Sequence, residues 1–216
     1  MLVIYLYGPD GSGKTVLAKT LVCYLRCKNL NTIYAWMRGT HTLTSILARF
    51  LARFRVFKGN DNPYYGIRIP PKLKKLWILL EFVSVLPVVL LRYLLPLILR
   101  KIVVGDRFTV DFVVWILMEV DDTKFLLSML SRFMLALALK YRGVYIYAEP
   151  KVLYARKSDT PYKKLVFQCI AYRKIAEMLS SPEINTSGKS ISESFHELLK
   201  IVRAYLPYSS THVFVK

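Results

Sequence analysis

The chain has 216 residues, 54% of them hydrophobic, and 32 Lys+Arg against 14 Asp+Glu give a formal net charge of +18. That length and apolar content exclude a disordered chain and suit one compact α/β unit, or such a unit with a small insertion. The positive excess asks for anionic partners (nucleotides, nucleic acid or an anionic membrane surface), yet the basic residues are spread along the chain, and a generally basic solvated surface accounts for them equally well. Cys23, Cys27 and Cys169 form no metal-ligand pattern with the scattered His41, His196 and His212. Reduced, buried thiols in a cytoplasmic protein are expected. The N-terminus reads as a strand, with neither the charged leader nor the cleavage site of a signal peptide.

Leu2–Tyr7 (LVIYLY) is an apolar run of buried-strand type. It is followed by GPDGSGKT at Gly8–Thr15 and a helical stretch, Lys14–Lys28, with Leu17, Ala18, Leu21, Val22 and Leu25 on its apolar side. Strand, G-x-x-x-x-G-K-T loop and helix make a P-loop. Gly8, Gly11 and Gly13 allow backbone angles that a Cβ resists. The N–H groups of the loop, Ser12 included, then face an anion together with the helix N-terminus. Lys14 brings a positive charge to the outer phosphates of a nucleoside triphosphate, and the Thr15 hydroxyl is a ligand for Mg²⁺.

Thr32–Met37 is a second strand, ending at Arg38-Gly39-Thr40, and His41–Phe57 has helical spacing. Lys58–Pro71 is irregular. Its Tyr64, Tyr65 and Arg68 mark either a binding loop or a packed loop whose tyrosines cover the core edge. Leu76–Leu99 is apolar enough to raise the question of a membrane. However, it holds Glu81 and Arg92, each costing about 2.5–3.5 kcal/mol near a bilayer centre. A span there would also part Lys14 from Asp106. Two apolar helices broken near Pro87 are expected instead, buried in the core or pairing two chains as a homodimer, with no transmembrane span.

Lys101–Gly105 is a third strand, ending at Asp106-Arg107. Val110–Glu119 and Thr123–Tyr141 are helical, Val144–Ala148 is a fourth strand, and Pro150 opens a helix. Arg156–Lys164 is a charged break, Leu165–Leu179 a helix, and Glu183–Thr186 a short fifth strand. Ser190 with Glu193 forms a capping box for the helix Ile191–Tyr205, and His212–Val215 is a candidate last strand. Strands alternating with helices give an α/β class with a parallel sheet covered on both faces.

In such a sheet the strand ends and the loops after them share one rim, where ligands bind. Asp106 would then lie beside the P-loop and hold the metal, and Arg107 would bring a planar phosphate binder into the same cleft. Arg156, Lys157, Lys163 and Lys164 read as a basic flap closing over the triphosphate, or as an exposed charged turn.

These residues together resemble the thymidylate kinases, within the nucleoside-monophosphate kinase group. The family's P-loop is similar to G-x-D-G-S-G-K-[ST], matched here with Asp10. Its Asp-Arg-Tyr/Phe is matched by Asp106-Arg107-Phe108, its Pro-x-x-x-(Leu/Ala)-x-Arg helix by Pro150 to Arg156, its tyrosine helix by Ala171-Tyr172-Arg173, and its late turn by Ile184-Asn185-Thr186-Ser187. The resemblance implies a three-layer P-loop NTPase sandwich with a five-stranded sheet of order 2-3-1-4-5. It also implies one kinase domain over residues 1–216, with an acceptor region at about 38–100 and a lid at about 150–165. The implied activity is Mg²⁺-dependent transfer of the γ-phosphoryl group of ATP to a nucleoside monophosphate, dTMP first.

In that scheme Lys14 and Arg156 stabilise the moving phosphoryl, Asp10 positions the acceptor, Arg38 and Arg107 hold its phosphate, and Tyr64, Tyr65, Arg68 and Tyr172 line its site. Asn185 and Thr186 lie near the adenine. The chain departs from the family after the second strand, where Met37-Arg38-Gly39-Thr40-His41 keeps only the arginine of Thr-Arg-Glu-Pro-Gly-Gly. Val16 also replaces a common hydroxyl residue, and Lys72–Leu99 is unusually apolar. A kinase for another small acceptor, or a regulatory NTP-binding protein contacting nucleic acid or membrane, therefore stays open beside the dTMP kinase.

Overall fold

The computed structural model describes residues 2–37, 40–62, 64–157 and 160–206. The centre is a parallel sheet of β1 (Val3–Tyr7), β2 (Thr32–Trp36), β4 (Ile102–Asp106), β5 (Arg142–Tyr147) and β6 (Glu183–Asn185), ordered β2-β4-β1-β5-β6. The expected order was 2-3-1-4-5. The difference comes from β3 (Lys58–Asn62), an unforeseen strand outside this sheet that takes a number in chain order. Its sequence, KGNDN, has no apolar alternation to announce it. Bridges from Lys58 and Asn62 to Ile67 fold it back antiparallel.

All of β1 is buried, and its side chains alternate between two cores. Val3, Tyr5 and Tyr7 pack with β5 and with α5 (Thr109–Val120), α6 (Met129–Leu139) and α8 (Tyr162–Met178). Ile4 and Leu6 pack on the other face with α1 (Lys14–Cys27) and α9 (Ile191–Arg203). Helices therefore cover both faces, which explains why the strands read as near-continuous apolar runs.

α2 (Thr42–Leu51) stops short of the expected Phe57, and Arg55–Phe57 is a 3₁₀ turn. The expected break at Pro87 is absent. α3 (Lys74–Val89) runs through that proline, a π turn follows at Leu90–Leu94, and α4 (Leu95–Ile98) continues to the end. The proline is thus accommodated inside α3, and the wider turn lies after it. Nor is this helix simply buried. One side packs inward through Trp77, Val85 and Val88, while Leu76, Leu79, Val83 and Leu90 are exposed, as are Leu43 and Ile46 of α2.

Pro71–Ile98 is long and apolar enough to cross a membrane by length and composition. A span there would put β1 and β2 on the opposite side from β4, yet Leu6 and Trp36 both pair with Asp106 in one sheet. Two further expectations change. Cys23 and Cys27 are exposed rather than buried. The late basic break is shorter: α7 (Pro150–Arg156) and α8 leave only 157–161 between them, so Lys163 and Lys164 belong to a helix. The candidate strand His212–Val215 lies outside the described residues.

Candidate active site

The outlets of β1 and β4 face each other, and the chemistry-bearing residues gather there. Gly8 leaves β1 so close to its neighbour that a Cβ would lie 2.0 Å from the Ile146 carbonyl oxygen. Gly13, at φ 88°, begins α1 in the left-handed region that glycine favours. Lys14 is buried and curls across the loop, donating to the Pro9 carbonyl at 2.6 Å and to Ser12 Oγ at 3.2 Å. Burial, and then the Arg107 charge, lower its ammonium pKa to about 8. Thr15 is exposed at the helix start.

Asp106 ends β4 with no exposure. Its Oδ2 accepts from the Tyr34 hydroxyl at 2.7 Å, while Oδ1 is buried with no hydrogen-bond partner among the described residues. A buried carboxylate oxygen without a donor is costly unless a cation meets it. Among the described residues no group of three or more His, Cys, Asp or Glu gathers. A Mg²⁺ here would rest on Asp106, the Thr15 hydroxyl, phosphate oxygens and water, a donor set that suits its preference for oxygen and retained waters.

Arg107 follows with φ 77°, a left-handed backbone unusual for a residue with a long side chain. Its N–H donates to the Leu6 carbonyl at 2.9 Å and its carbonyl accepts from Tyr93 at 2.8 Å, fixing the turn from both sides. The guanidinium pairs with the Asp10 carboxylate and, at 3.2 Å, with Asp111 on α5. Burial would push the Asp10 carboxyl up, but Arg107 and Lys14 outweigh it and hold it well below the usual carboxylate range. For Arg107, burial opposes the charge, and Asp10 and Asp111 overcome it, so the guanidinium stays firmly protonated. Burial raises Asp111 despite Arg107. Tyr172 completes the row, donating its hydroxyl to Asp111 at 2.6 Å, and the Asp10 N–H donates to Gln168 Oε1 at 3.1 Å.

On the other side of the loop, Arg156 at the end of α7 donates to Thr186 Oγ1 at 3.0 Å, to the Thr186 carbonyl at 2.8 Å and to the Gly11 carbonyl at 3.5 Å. Thr186 Oγ1 in turn donates to the Ser12 carbonyl at 3.2 Å. Asn185 accepts from the Ser187 N–H. A cavity of about 260 Å³ opens here between Gly11, Gly13, Leu17, Arg156, Thr186 and Ile191.

Of the residues expected from sequence, the structure brings together the whole P-loop with Asp106 and Arg107, and links Tyr172 to Arg107 through Asp111. Arg156 and Thr186 line the cavity on the opposite side, and Asn185, one residue before Thr186, is not part of that lining. Tyr64 stacks on Trp115 of α5 with ring centroids 4.9 Å apart, and Tyr65 lies under Arg49 of α2. These tyrosines are held by the helices around them, and Arg68 lies exposed on the same turn. Arg38 lies outside the described residues. Sequence reading missed Asp111 and Gln168. The first stands four residues after Arg107, the spacing that puts two side chains on one helix face. Gln168, the chain's only glutamine, carried no such pattern.

No family model matches the chain, and no curated protein matches it. Among solved structures it is similar to the thymidylate kinase from Ehrlichia chaffeensis, with a TM-score of 0.59 and 17% sequence identity over 94% of this chain and 98% of that chain. At that identity the likeness concerns architecture: the chain has a thymidylate kinase-like α/β fold.

Proposed function

We propose that this chain transfers the γ-phosphoryl group of ATP to a nucleoside monophosphate, with dTMP the first acceptor to test. The strongest support is the Asp10–Arg107–Asp111 row. It fixes a guanidinium beside the P-loop, where a second phosphate must lie for in-line transfer. A triphosphate would lie against the loop N–H groups with its base toward the Arg156–Thr186 cavity. Lys14 would swing from Pro9 and Ser12 onto the outer phosphates. Thr15 and Asp106 would hold Mg²⁺, which when bound neutralises charge on the phosphates being separated. Arg107 would hold the acceptor phosphate with Asp10 orienting it, joined by Arg38 from the segment after β2. Asn185 and Thr186 would face the adenine, and Tyr64, Tyr65 and Arg68 the acceptor base. A phosphate acceptor is already ionised, so no general base is required.

The exposed aliphatic face of α2 and α3 is read as the contact between two copies of one kinase domain, with the lid at about 150–165. A reading as a regulatory NTP-binding protein draws on the same face and the +18 charge. ADP production from ATP separates the two when measured with a panel of monophosphates and nucleosides. dTMP should raise turnover well above the acceptor-free rate, and Lys14→Ala should abolish it. Equal rates with and without dTMP would sink the thymidylate assignment.

A further inference from the structure

Away from the phosphate residues, two glutamates are buried together. Glu81 on α3 is 1% exposed and Glu119 on α5 is 2% exposed. Thr40 donates its hydroxyl to Glu81 at 2.6 Å. Asn62 Nδ2 donates to Thr40 Oγ1 at 3.0 Å and to Glu119 Oε1 at 2.6 Å. Both hydrogens of that amide nitrogen are therefore used, and the row Glu81–Thr40–Asn62–Glu119 closes on itself where the two carboxyls face each other. The indole N–H groups of Trp77 and Trp115 approach Glu119 and Glu81 in turn, though among the described residues neither indole nor Glu119 Oε2 makes a well-formed hydrogen bond.

The hydrogen bonds that reach the two carboxyls come from neutral groups, the Thr40 hydroxyl and the Asn62 amide. Lys74 of α3 donates to the Val120 carbonyl, and Lys163 and Lys164 of α8 share with Glu119 and Asp121 the lining of a cavity of about 470 Å³. Two carboxyls buried side by side resist ionising together at neutral pH, because burial and their mutual repulsion both disfavour the second charge. A single proton held between them resolves the conflict.

The ring's position gives it a use. Thr40 closes the segment that carries Arg38, and Asn62 opens the turn that carries Tyr64, Tyr65 and Arg68, accepting the Tyr64 N–H at 3.2 Å. Tyr64 stacks on Trp115, four residues before Glu119 on α5. Thr42 and Thr44 bond Ser84 on α3 and so extend the same seam. We propose that Glu81 and Glu119 act as one proton-sharing pair that positions the acceptor half of the site, fastening the segment after β2 and the turn after β3 to α3 and α5. This rests on the phosphotransfer reading for its meaning, though not for its geometry.

The sign follows from burial, the leading influence on both groups. Glu81 is pushed up to about 7, and Glu119 is raised further by burial and then by Glu81. The folded state keeps protons that the unfolded chain would release. The ring is intact at low pH, and its contribution is lost as pH rises through about 7. The second negative charge then forms inside a buried site beside the first.

Hydrogen exchange, corrected for its intrinsic pH dependence, reads the ring directly and without nucleotide. Between pH 6 and pH 8 the amides of residues 40–44, 62 and 64–68 should exchange about tenfold faster in the native protein. In Glu81→Gln, which keeps the shape but cannot ionise, they should not change. Kinetics then test the consequence. The KM for the acceptor should rise several-fold over that interval while the KM for ATP stays level, and Glu81→Gln should flatten the rise. The comparison is made with one acceptor, so the acceptor's own titration cancels. Exchange that does not depend on pH, or KM values for ATP and acceptor that move together, would overturn the proposal. No turnover with any monophosphate, alongside pH-dependent exchange, would sink the kinase reading and leave the ring standing as a proton-dependent clasp.

Discussion

Arg107 at the outlet of β4 is paired with Asp10 inside the P-loop, 97 positions earlier in the chain. The pairing ties two neighbouring strand ends into one anion-binding surface. It also sets a negative group inside a loop built to receive phosphate. Arg107 and Lys14 keep that group ionised. A carboxylate held this way cannot itself be a phosphate ligand, but it can fix the direction in which the guanidinium points.

Arg107→Lys keeps the charge and loses the planar fork that spans Asp10 and Asp111. kcat should fall by about 100-fold, the scale of losing one oriented charge donor. ATP binding, measured separately by calorimetry, should change little. A kcat within threefold of the native enzyme would place the acceptor phosphate elsewhere.

Lys14 predicts a pH dependence. Its pKa of about 8 in the free protein lies below the ordinary 10.5 of lysine. Below pH 8 the protein carries a buried charge at a cost in stability. That cost fades between about 8 and 10.5, as the folded state gives up the proton before the unfolded chain does. Triphosphate affinity should run the opposite way and weaken as pH rises above 8. Titration of a non-hydrolysable ATP analogue from pH 7 to 9.5 checks this, with Lys14→Met as the flat control.

Asp106→Asn removes the charge of the unpartnered Oδ1 without changing the shape of β4. Turnover should then need at least tenfold more Mg²⁺ for half-maximal rate. The nucleotide-free protein should melt no lower than native, because an uncompensated buried charge is gone. An unchanged Mg²⁺ requirement would remove Asp106 from the metal site.

Tyr172→Phe deletes one hydrogen bond to Asp111, which keeps its contact with Arg107. The expected loss is about 1.5–3 kcal/mol in urea unfolding, the usual range for a bond to a charged group. The KM for ATP should not change, and kcat should fall by less than in Arg107→Lys.

The exposed side of α2 and α3 makes a prediction about assembly. If two copies meet there, light scattering should give about 50 kDa, twice the 25.1 kDa of one chain. Ile46→Asp, at a position 65% exposed, should return it to one chain without lowering the melting temperature of a dilute sample. A single-chain mass for the native protein at every concentration would rule out this contact.

The sheet and the P-loop were legible because each depends on local pattern: apolar runs, a glycine-spaced loop, and an acid-arginine pair at a strand end. What escaped depends on contacts remote in sequence. Asp111 lies within the apolar run of α5, where an acid looks like an interruption until Arg107 is seen one turn away. Glu81 served as an argument against a membrane span; its partner Glu119 sits on a different helix, and nothing local joins them. β3 has almost no apolar residues and forms only because Ile67 returns to pair with it. Pro87 pointed to a break because proline does end most helices. The π turn after it is a tertiary accommodation, with Tyr93 buried against Phe108.

The backbone of Arg107 has a consequence of its own. At φ 77° the residue occupies a region where glycine would be at ease. Arg107→Gly should therefore melt higher than Arg107→Ala, although both lose the same charge. Under selection for heat resistance alone, this position would drift toward glycine, and the arginine would persist only while something else demands it. An arginine found there in a thriving lineage is thus a small record of use, kept against the chain's own conformational preference.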